Sequence, residues 1–356
     1  MNFDMTEDRQ MLSETLSRFL AGRYDWETRN RVAYTAPYSD AGRWSELAEL
    51  GIPGALVPEE QGGFGGTGFD ISVVFEALGR ALCPEPFLPA LLASRVLGGV
   101  GKDQAGLVDG SIRYAVGISE IDAPYDLAGI ATCARANGVG FTLSGRKTSV
   151  YGAQVADRLL IAALLDGKLA VFEVDPRAAG ITPYGMIDGG GAAEVLMDET
   201  PAVLLARDAG ALLNSVIRAG RLALCAEAVG AMQFACELLL DYLKTRRQFG
   251  VAIGSFQALQ HRTVDLLTEI EQARSITIAA ADALDGPDGD LKAAMAKNLI
   301  GRAARLVAEE TIQMSGGIGM TWEYAASHYS KRLVMIDHQL GDTDHCLEEV
   351  MQSYAA

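Results

Sequence analysis

Residues 221–250 read RLALCAEAVGAMQFACELLLDYLKTRRQFG, and this stretch decides the class of fold. Its apolar side chains recur at steps of three and four residues: Leu222, Cys225, Val229, Met232, Cys236, Leu239 and Leu243. That spacing places them on one face of a single long helix, as in a helical bundle. The basic residues and the glycine at 246–250 predict that this helix ends there.

The chain continues in the same helical pattern after this segment. Apolar positions recur at Phe256, Leu259, Thr263, Leu266 and Ile270. The loop DGPDG at residues 285–289 interrupts the pattern, and a further helix is expected over residues 291–314, before Ser-Gly-Gly at 315–317. Residues 206–356 are therefore predicted to form a domain that resembles a four-helix bundle.

The middle of the chain has the character of strands. Asn137-Gly138 and Asp166-Gly167 each separate two strand-like segments. Both dipeptides indicate hairpins, because a type I′ turn needs positive φ at its two central residues. We predict a small antiparallel β domain over residues 111–205.

The first 110 residues are predicted to be helical. Thr6 precedes the acidic pair Glu7-Asp8, as expected for a helix N-cap followed by acidic residues in the first turn. The predicted fold class is therefore α+β, with a helical domain at residues 1–110, an antiparallel β domain at 111–205 and a helical bundle domain at 206–356.

Composition excludes several classes of function. The 356 residues carry a formal net charge of −16, which argues against nucleic acid as a partner, because that needs a basic surface. No unbroken apolar run reaches the roughly 18 residues of a membrane span. The acidic start MNFDMTEDRQ lacks the basic and apolar regions of a signal peptide. We expect a cytoplasmic protein with no membrane contact.

The cysteines and histidines indicate no metal site. The five cysteines have no CxxC spacing and are expected to be free thiols, with Cys225 and Cys236 buried. His338 and His345 flank two aspartates, Asp342 and Asp344, but a solvated helix face is the favoured interpretation of this pattern.

Two segments in the C-terminal half suggest a ligand. Arg246 could make paired, charge-assisted hydrogen bonds to a pyrophosphate, although basic residues with Gly250 as a helix cap explain the same pattern. Gly316 and Gly317 would allow a ligand close to the backbone, although a glycine-rich helix end looks the same. Each segment alone leaves both interpretations open.

Taken together, RRQFG at 246–250, Gln257 and QMSGGIG at 313–319 resemble the C-terminal domain of the acyl-CoA dehydrogenase family. The resemblance spans nearly the whole chain. It includes FDMTEDRQML at residues 3–12, LVPEEQGGFGG at 56–66 and GFTLSGRKTSVYG at 140–152.

The resemblance implies FAD-dependent α,β-dehydrogenation of an acyl-CoA thioester. In this family a carboxylate removes the α proton, the β hydrogen passes to flavin N5 as hydride, and an electron-transferring flavoprotein reoxidises the flavin. Such a reaction needs hydrogen bonds to the thioester carbonyl and a base whose pKa is raised by a dry pocket.

The resemblance also assigns the residues that contact FAD. Arg246 is expected at the pyrophosphate, and Phe249 and Gln257 at the adenosine half. Gln313, Gly316 and Gly317 are expected to contact the FAD of a neighbouring subunit. That shared site implies a homodimer or a homotetramer.

Further positions are expected at the flavin and at the substrate. Ser119 matches a segment that contacts the flavin pyrimidine edge. The flavin-stacking Trp-Ile-Thr of the family reads Ser149-Val150-Tyr151 here, so the aromatic residue has moved by two positions. Arg221 matches an arginine at the acyl-CoA site, and Tyr125 stands where the family has a CoA-contacting serine.

The usual catalytic glutamate is missing. Its position, 27 residues after Gln313, is Leu340, and the position used by some relatives is Gly220. Asp342 ranks first among the substitute bases, but the favoured interpretation is that it caps the last helix. Glu227 and Glu120 are weaker candidates, with alternative roles as an interhelix hydrogen-bonding group and as a conformational anchor.

Three hypotheses for the activity stay open. The chain is an acyl-CoA dehydrogenase with a relocated base, or the baseless subunit of a heteromeric dehydrogenase acting on bulky or steroid-type acyl-CoA, or an enzyme that performs another flavin oxidation. The sequence does not determine the length or branching of the acyl chain.

Overall fold

The chain forms eleven helices and nine strands over the residues that the structure, a computed structural model, describes, namely 5–138 and 140–355. Phe3 and Asp4, which begin the FDMTEDRQML segment, lie outside the described residues. The N-terminal helices are α1 (Glu7–Arg23), α2 (Trp26–Tyr34), α3 (Ala41–Glu49), α4 (Gly68–Ala81), α5 (Phe87–Gly99) and α6 (Ala105–Val108).

Seven strands follow: β1 (Tyr114–Gly117), β2 (Cys133–Ala136), β3 (Phe141–Tyr151), β4 (Arg158–Leu165), β5 (Lys168–Val174), β6 (Gly180–Gly185) and β7 (Gly191–Ala206). The C-terminal elements are α7 (Gly210–Thr245), β8 (Arg247–Gln248), β9 (Val251–Ala252), α8 (Gln257–Asp282), α9 (Gly289–Ser315), α10 (Ala325–Asp337) and α11 (Thr343–Ala355). The order of helices, sheet and helices confirms the predicted fold class.

The chain divides into two compact units that are each built from separate segments. The helical unit comprises Met1–Glu27, Ile71–Cys83 and Arg221–Ala356, and the sheet unit comprises Thr28–Asp70 and Pro84–Gly220. The three-domain division proposed from the sequence stays a prediction.

The sheet of the sheet unit closes on itself. Strand β4 pairs with β5, β5 with β7, β7 with β3, β3 with β2, and β2 again with β4. Two further strands pair with members of this ring, β1 with β4 and β6 with β7. Most pairings are antiparallel, as predicted, but β1 and β2 both pair with β4 in parallel. Alternating side chains such as Leu159, Ile161 and Ala163 fill its buried core.

Both predicted hairpins are present, and one has the predicted turn. Asp166 and Gly167, with φ of 54° and 79°, connect β4 to β5. In the β2–β3 hairpin, however, the Asn137 N–H donates to the Gly140 carbonyl at 3.1 Å, so Asn137 precedes the central residues of the turn and is not one of them.

Helices α7 to α10 of the helical unit pack as an antiparallel bundle. Glu227 contacts Arg332. The rings of Phe234 and Tyr329 lie 5.1 Å apart, and those of Tyr242 and Tyr324 lie 6.1 Å apart. Residue numbers on α10 therefore fall as those on α7 rise. Arg262 on α8 likewise pairs with Glu310 on α9.

The predicted apolar face of α7 is confirmed, because its seven residues from Leu222 to Leu243 are all at most 3% exposed. The face predicted for α8 is partly wrong. Thr263, Leu266 and Ile270 are buried, but Phe256 precedes the helix and is 39% exposed.

Helix α7 also has the length and hydropathy of a membrane span, although no unbroken apolar run in the sequence suggested one. The apolar 18-residue window of α7 has a mean hydropathy of 1.5, and 78% of it is buried within the protein. This burial is typical of a core helix.

Two glycines let helices α4 and α7 approach closely. A Cβ atom on Gly79 would lie 2.0 Å from the Glu227 carbonyl oxygen, and one on Gly230 would lie 2.0 Å from that of Glu76. No side chain fits at either position, so backbone meets backbone where these helices cross.

Candidate active site

The segment after α7 forms a hairpin, and this corrects the predicted role of Gly250. Helix α7 ends at Thr245, and Gly250 lies five residues further on, in the turn between β8 and β9. Phe249 and Gly250 have φ of 53° and 82°, as a type I′ turn requires. Gly250 is therefore a hairpin glycine and does not cap the helix.

The hairpin presents the residues expected at FAD. Phe249 is 92% exposed at the tip of the turn. Arg246, which precedes β8, and Gln257, the first residue of α8, are also exposed. A solvent-exposed aromatic ring close to an arginine in sequence is a suitable surface for binding a nucleotide.

The glycine segment after α9 lies at the same end of the bundle. Gly316 has φ of 67°, and a Cβ atom on Gly316 or Gly317 would meet nothing within 4 Å. Gln313 is exposed one turn earlier, on α9. The segments after the C-terminal ends of α7 and α9 are thus both exposed to solvent, and the nucleotide contacts predicted there stay a prediction.

The base candidate Glu120 anchors a loop of the sheet unit. Its carboxylate accepts hydrogen bonds from the backbone N–H groups of Ala131 and Thr132 at 2.8 and 3.0 Å, and from the Thr132 hydroxyl at 2.6 Å. Lys147, whose side chain is fully buried, donates to Glu120 at 2.6 Å and to the Ile118 carbonyl at 3.0 Å. These contacts confirm the alternative role of Glu120 as a conformational anchor.

The pKa values of this pair follow from the geometry. Burial raises the pKa of Glu120, but the hydrogen bonds from Lys147, Thr132 and Ala131 outweigh it, so the net shift is downward. Burial lowers the pKa of Lys147 to about 8, against the opposing effect of Glu120. A carboxylate with a lowered pKa is a poor general base.

Three of the residues expected near the flavin lie on or beside β3. The carbonyl oxygen of Ser119 accepts the N–H of Thr148 at 3.0 Å. Ser149, the next residue, lies in a β-bulge with φ of 50°, and Tyr151 ends the strand. The structure therefore places Ser119 beside the bulge that contains Ser149, and Tyr151 two residues further along the same strand.

Glu194 on β7 supports this bulge, a role that the sequence did not reveal. Its carboxylate accepts hydrogen bonds from the Thr148 hydroxyl at 2.8 Å and from the Ser149 N–H at 3.4 Å. Tyr125 is half-buried in the loop that Glu120 anchors.

Arg221 of the helical unit donates hydrogen bonds to a backbone carbonyl and to a carboxylate. It is 5% exposed, and its Nε donates to the Leu340 carbonyl at 2.7 Å. Its terminal nitrogens contact both oxygens of Glu349. Burial opposes its charge, but Glu349 outweighs this and the pKa of Arg221 is raised. The residue predicted to contact acyl-CoA thus lies beside Leu340, the predicted position of the base, and it has structural partners.

The other two base candidates also have structural partners. The Asp342 carboxylate accepts the N–H of His345 at 2.8 Å, as an N-cap of α11 does. Glu227 forms two hydrogen bonds with Arg332, at 2.6 and 2.7 Å, between α7 and α10. The alternative role stated for each residue is confirmed.

The cysteines and histidines assemble no metal site among the residues that the structure describes. All five cysteines are free thiols, as predicted, and Cys225, Cys236 and Cys346 are buried. His345 on α11 lies 3.1 Å from Glu349.

Comparison with known proteins identifies the family. Residues 6–103 match the acyl-CoA dehydrogenase N-terminal domain, and residues 210–351 match the acyl-CoA dehydrogenase C-terminal domain. The chain is 32% identical over 332 residues to acyl-CoA dehydrogenase IpdE2 of Mycobacterium tuberculosis, covering 92% of this chain and 91% of IpdE2. The chain belongs to the acyl-CoA dehydrogenase family, whose members are FAD-binding oxidoreductases.

Solved structures agree with this assignment. A Tcur3481-Tcur3483 steroid ACAD variant has a TM-score of 0.91 and 28% identity, and the match covers 98% of each chain. The ChsE4-ChsE5 complex from Mycobacterium tuberculosis also has a TM-score of 0.91, with 23% identity over 100% of this chain and 99% of the other. At that identity the second likeness shows the fold alone.

Proposed function

We propose that this chain is the baseless subunit of a heteromeric, FAD-dependent acyl-CoA dehydrogenase. The proposal rests on one observation: each carboxylate considered as a substitute base already forms hydrogen bonds or an ion pair with another part of the protein. Leu340 occupies the usual position of the base, while Asp342 caps a helix, Glu227 pairs with Arg332 and Glu120 accepts four hydrogen bonds. A partner chain would supply the carboxylate that removes the α proton.

The comparisons support a two-chain enzyme acting on a bulky substrate. The steroid ACAD among the similar structures, which is 28% identical to this chain, is named as a Tcur3481-Tcur3483 pair. We therefore propose a steroid-type or similarly bulky acyl-CoA as substrate, an electron-transferring flavoprotein as electron acceptor, and the cytoplasm as the location.

FAD, when bound, would supply the two-electron acceptor of the reaction. Arg246, Phe249 and Gln257 would hold its pyrophosphate and adenosine, and Ser119, Ser149 and Tyr151 would line the flavin. Gln313, Gly316 and Gly317 would contact the nucleotide of a second chain, which makes an oligomer part of the proposal. A chain with net charge −16 must bind such an anion through a few local groups like Arg246.

The decisive experiment is an anaerobic titration followed by flavin absorbance. The purified chain, loaded with FAD, is mixed with short, branched and bulky acyl-CoA thioesters. We expect no bleaching from the wild type, whereas Leu340→Glu restores a carboxylate at the usual position and bleaches with at least one thioester. Leu340→Gln, which has similar size and no base, is the matched control.

The alternatives give different results in the same titration. Bleaching by the wild-type chain alone would overturn the proposal in favour of an active dehydrogenase with a relocated base. Asp342→Asn would then test the preferred substitute. Oxygen consumption without any CoA thioester would instead indicate another flavin oxidation.

A further inference from the structure

The turn between α10 and α11 is held by two cations from other helices. Arg221 on α7 donates its Nε–H to the Leu340 carbonyl at 2.7 Å. Lys297 on α9 donates to the carbonyls of Gly341 at 2.7 Å and Asp337 at 2.9 Å. Three carbonyl oxygens within five residues thus accept from buried cations, and residue 340 lies among them.

Lys297 is an unusual residue for this purpose. It is 0% exposed, and burial lowers its pKa. Among the residues that the structure describes, no carboxylate pairs with its ammonium group, which is held by carbonyl oxygens alone. A buried cation without a carboxylate is costly, so its acceptors must be accurately placed.

The backbone of the turn is correspondingly constrained. Leu340 has φ of 56° and Gly341 has φ of 114°, both in the left-handed half of conformational space. A Cβ atom on Gly341 would lie 2.9 Å from a terminal nitrogen of Arg221 and 3.1 Å from the Cys346 sulfur. The turn therefore packs against Arg221 with no space for another side chain at residue 341.

The same arginine connects this turn to the last helix. Glu349 on α11 binds the terminal nitrogens of Arg221, while Thr343 at the start of α11 donates to Asp337 at 2.8 Å. Residue 340 is thus fixed from α7, α9 and α11 together.

We propose that Lys297 and Arg221 are positioning residues that hold residue 340 in the place of a catalytic side chain, although this chain has leucine there. The inference rests on the proposed function for the meaning of position 340. The claim that Lys297 and Arg221 fix the backbone of this turn does not depend on any reaction. In this proposal the hydrogen bonds that fix the turn are present, and the carboxylate side chain at residue 340 is replaced by leucine.

Hydrogen exchange tests the structural part without any substrate. The turn and its flanks contain protected amides at His338, Gln339, His345 and Cys346. We expect Lys297→Met to increase their exchange rates at least tenfold and to leave α8 unchanged. Lys292→Met, on the same helix, is the matched control. Unchanged exchange in Lys297→Met would overturn the proposal, and Arg221→Lys provides the same test if the first variant does not fold.

A kinetic experiment tests the positioning role itself. In the Leu340→Glu background, Lys297→Met should lower the limiting rate of flavin reduction at least tenfold, with unchanged FAD affinity, while Lys292→Met has no effect. An equal rate in both double variants contradicts the positioning role. Failure of Leu340→Glu to react at all counts against the proposed function, whereas the exchange experiment still decides the role of Lys297.

Discussion

Lys147 is a buried cation whose charge is maintained by one carboxylate, Glu120, and one carbonyl oxygen. Lys147 loses its proton more easily in the folded protein than in the unfolded chain, because burial lowers its pKa from 10.5 to about 8. At a pH between about 8 and 10.5, Lys147 is protonated to a greater extent in the unfolded chain than in the folded chain. Stability contributed by this group therefore rises with pH across that window.

We predict that the wild type gains stability relative to Lys147→Met as pH rises from 8 to 10.5. The upper limit of the gain is about 3 kcal/mol, since each unit of pKa shift corresponds to about 1.4 kcal/mol. Urea unfolding of both proteins across this range measures the difference. Lys168→Met, at an exposed lysine, should show no such gain, and a falling difference for Lys147→Met would contradict the prediction.

The buried thiols give a second prediction at this scale. Burial raises the pKa of Cys225 to about 12, and it also raises the pKa values of Cys236 and Cys346. A thiol reagent should modify only Cys83 and Cys133 rapidly in the native protein, because thiolate is the reactive form. Unfolding in denaturant should make the other three thiols react as well. Cys133→Ser should remove one rapid equivalent, and rapid modification of all five thiols would refute the assignment.

Individual roles could be predicted where one side chain and its nearest neighbours decide them. Thr6 caps α1, accepting from the Arg9 N–H, and Asp342 caps α11 as its local sequence suggested. The environment of Lys297 could not be predicted, because its acceptors lie 40 and 44 residues further along the chain. A lysine within the apolar segment AAMAKNLIG was the available signal.

At the scale of elements, the crossing of α4 and α7 leaves no space for side chains between the two helices. Gly79 and Gly230 leave no space for a Cβ atom between the two backbones. We predict that Gly230→Ala destabilises the protein by at least about 2 kcal/mol, since overpacking forces backbone shifts.

The matched control is Gly22→Ala on α1, where a Cβ atom would meet nothing within 4 Å. That substitution should be neutral or stabilising by up to about 1 kcal/mol, because alanine favours helix more than glycine does. Thermal and urea unfolding of both variants measure the effects. An equally stable Gly230→Ala variant would show that the helices can separate without cost.

Periodicity predicted the long elements well and the short ones poorly. The apolar face of α7 follows from residue spacing, and the ends of α9 follow from the DGPDG loop before it and the Ser-Gly-Gly segment after it. The hairpin of β8 and β9 was missed, because two-residue strands carry no periodic signal and Gly250 equally suggested a helix cap. Phe256 was misplaced for the same reason, since the helix begins one residue later.

At the scale of the whole molecule, the helical unit is assembled from three separate segments. Helix α4 meets α7 although Gly79 and Gly230 are far apart in sequence. A pattern read along the chain detects each segment but gives no sign of such long-range pairing. The candidate site has the same property, because the residues expected at FAD come from widely separated parts of the sequence.

FAD binding provides the prediction at this scale. A ligand that binds only the folded state stabilises it by about 2.7 kcal/mol at one hundred times its dissociation constant. We predict that removal of FAD lowers the melting temperature and that Arg246→Gln weakens FAD binding at least tenfold. Arg305→Gln, at an exposed arginine of α9, is the control. Equal FAD affinity in both variants would remove Arg246 from the site.

The almost uncovered ring of Phe249 offers a practical probe of assembly. Tryptophan emission shifts to shorter wavelength when water is excluded, and a nearby flavin quenches it. Phe249→Trp would therefore report separately on burial by another chain and on occupation by a nucleotide. Phe249 lies in a surface turn, where its ring has the Phe256 ring 6.3 Å away, and it fills no part of the buried core. We therefore expect Phe249→Trp to leave the bundle intact.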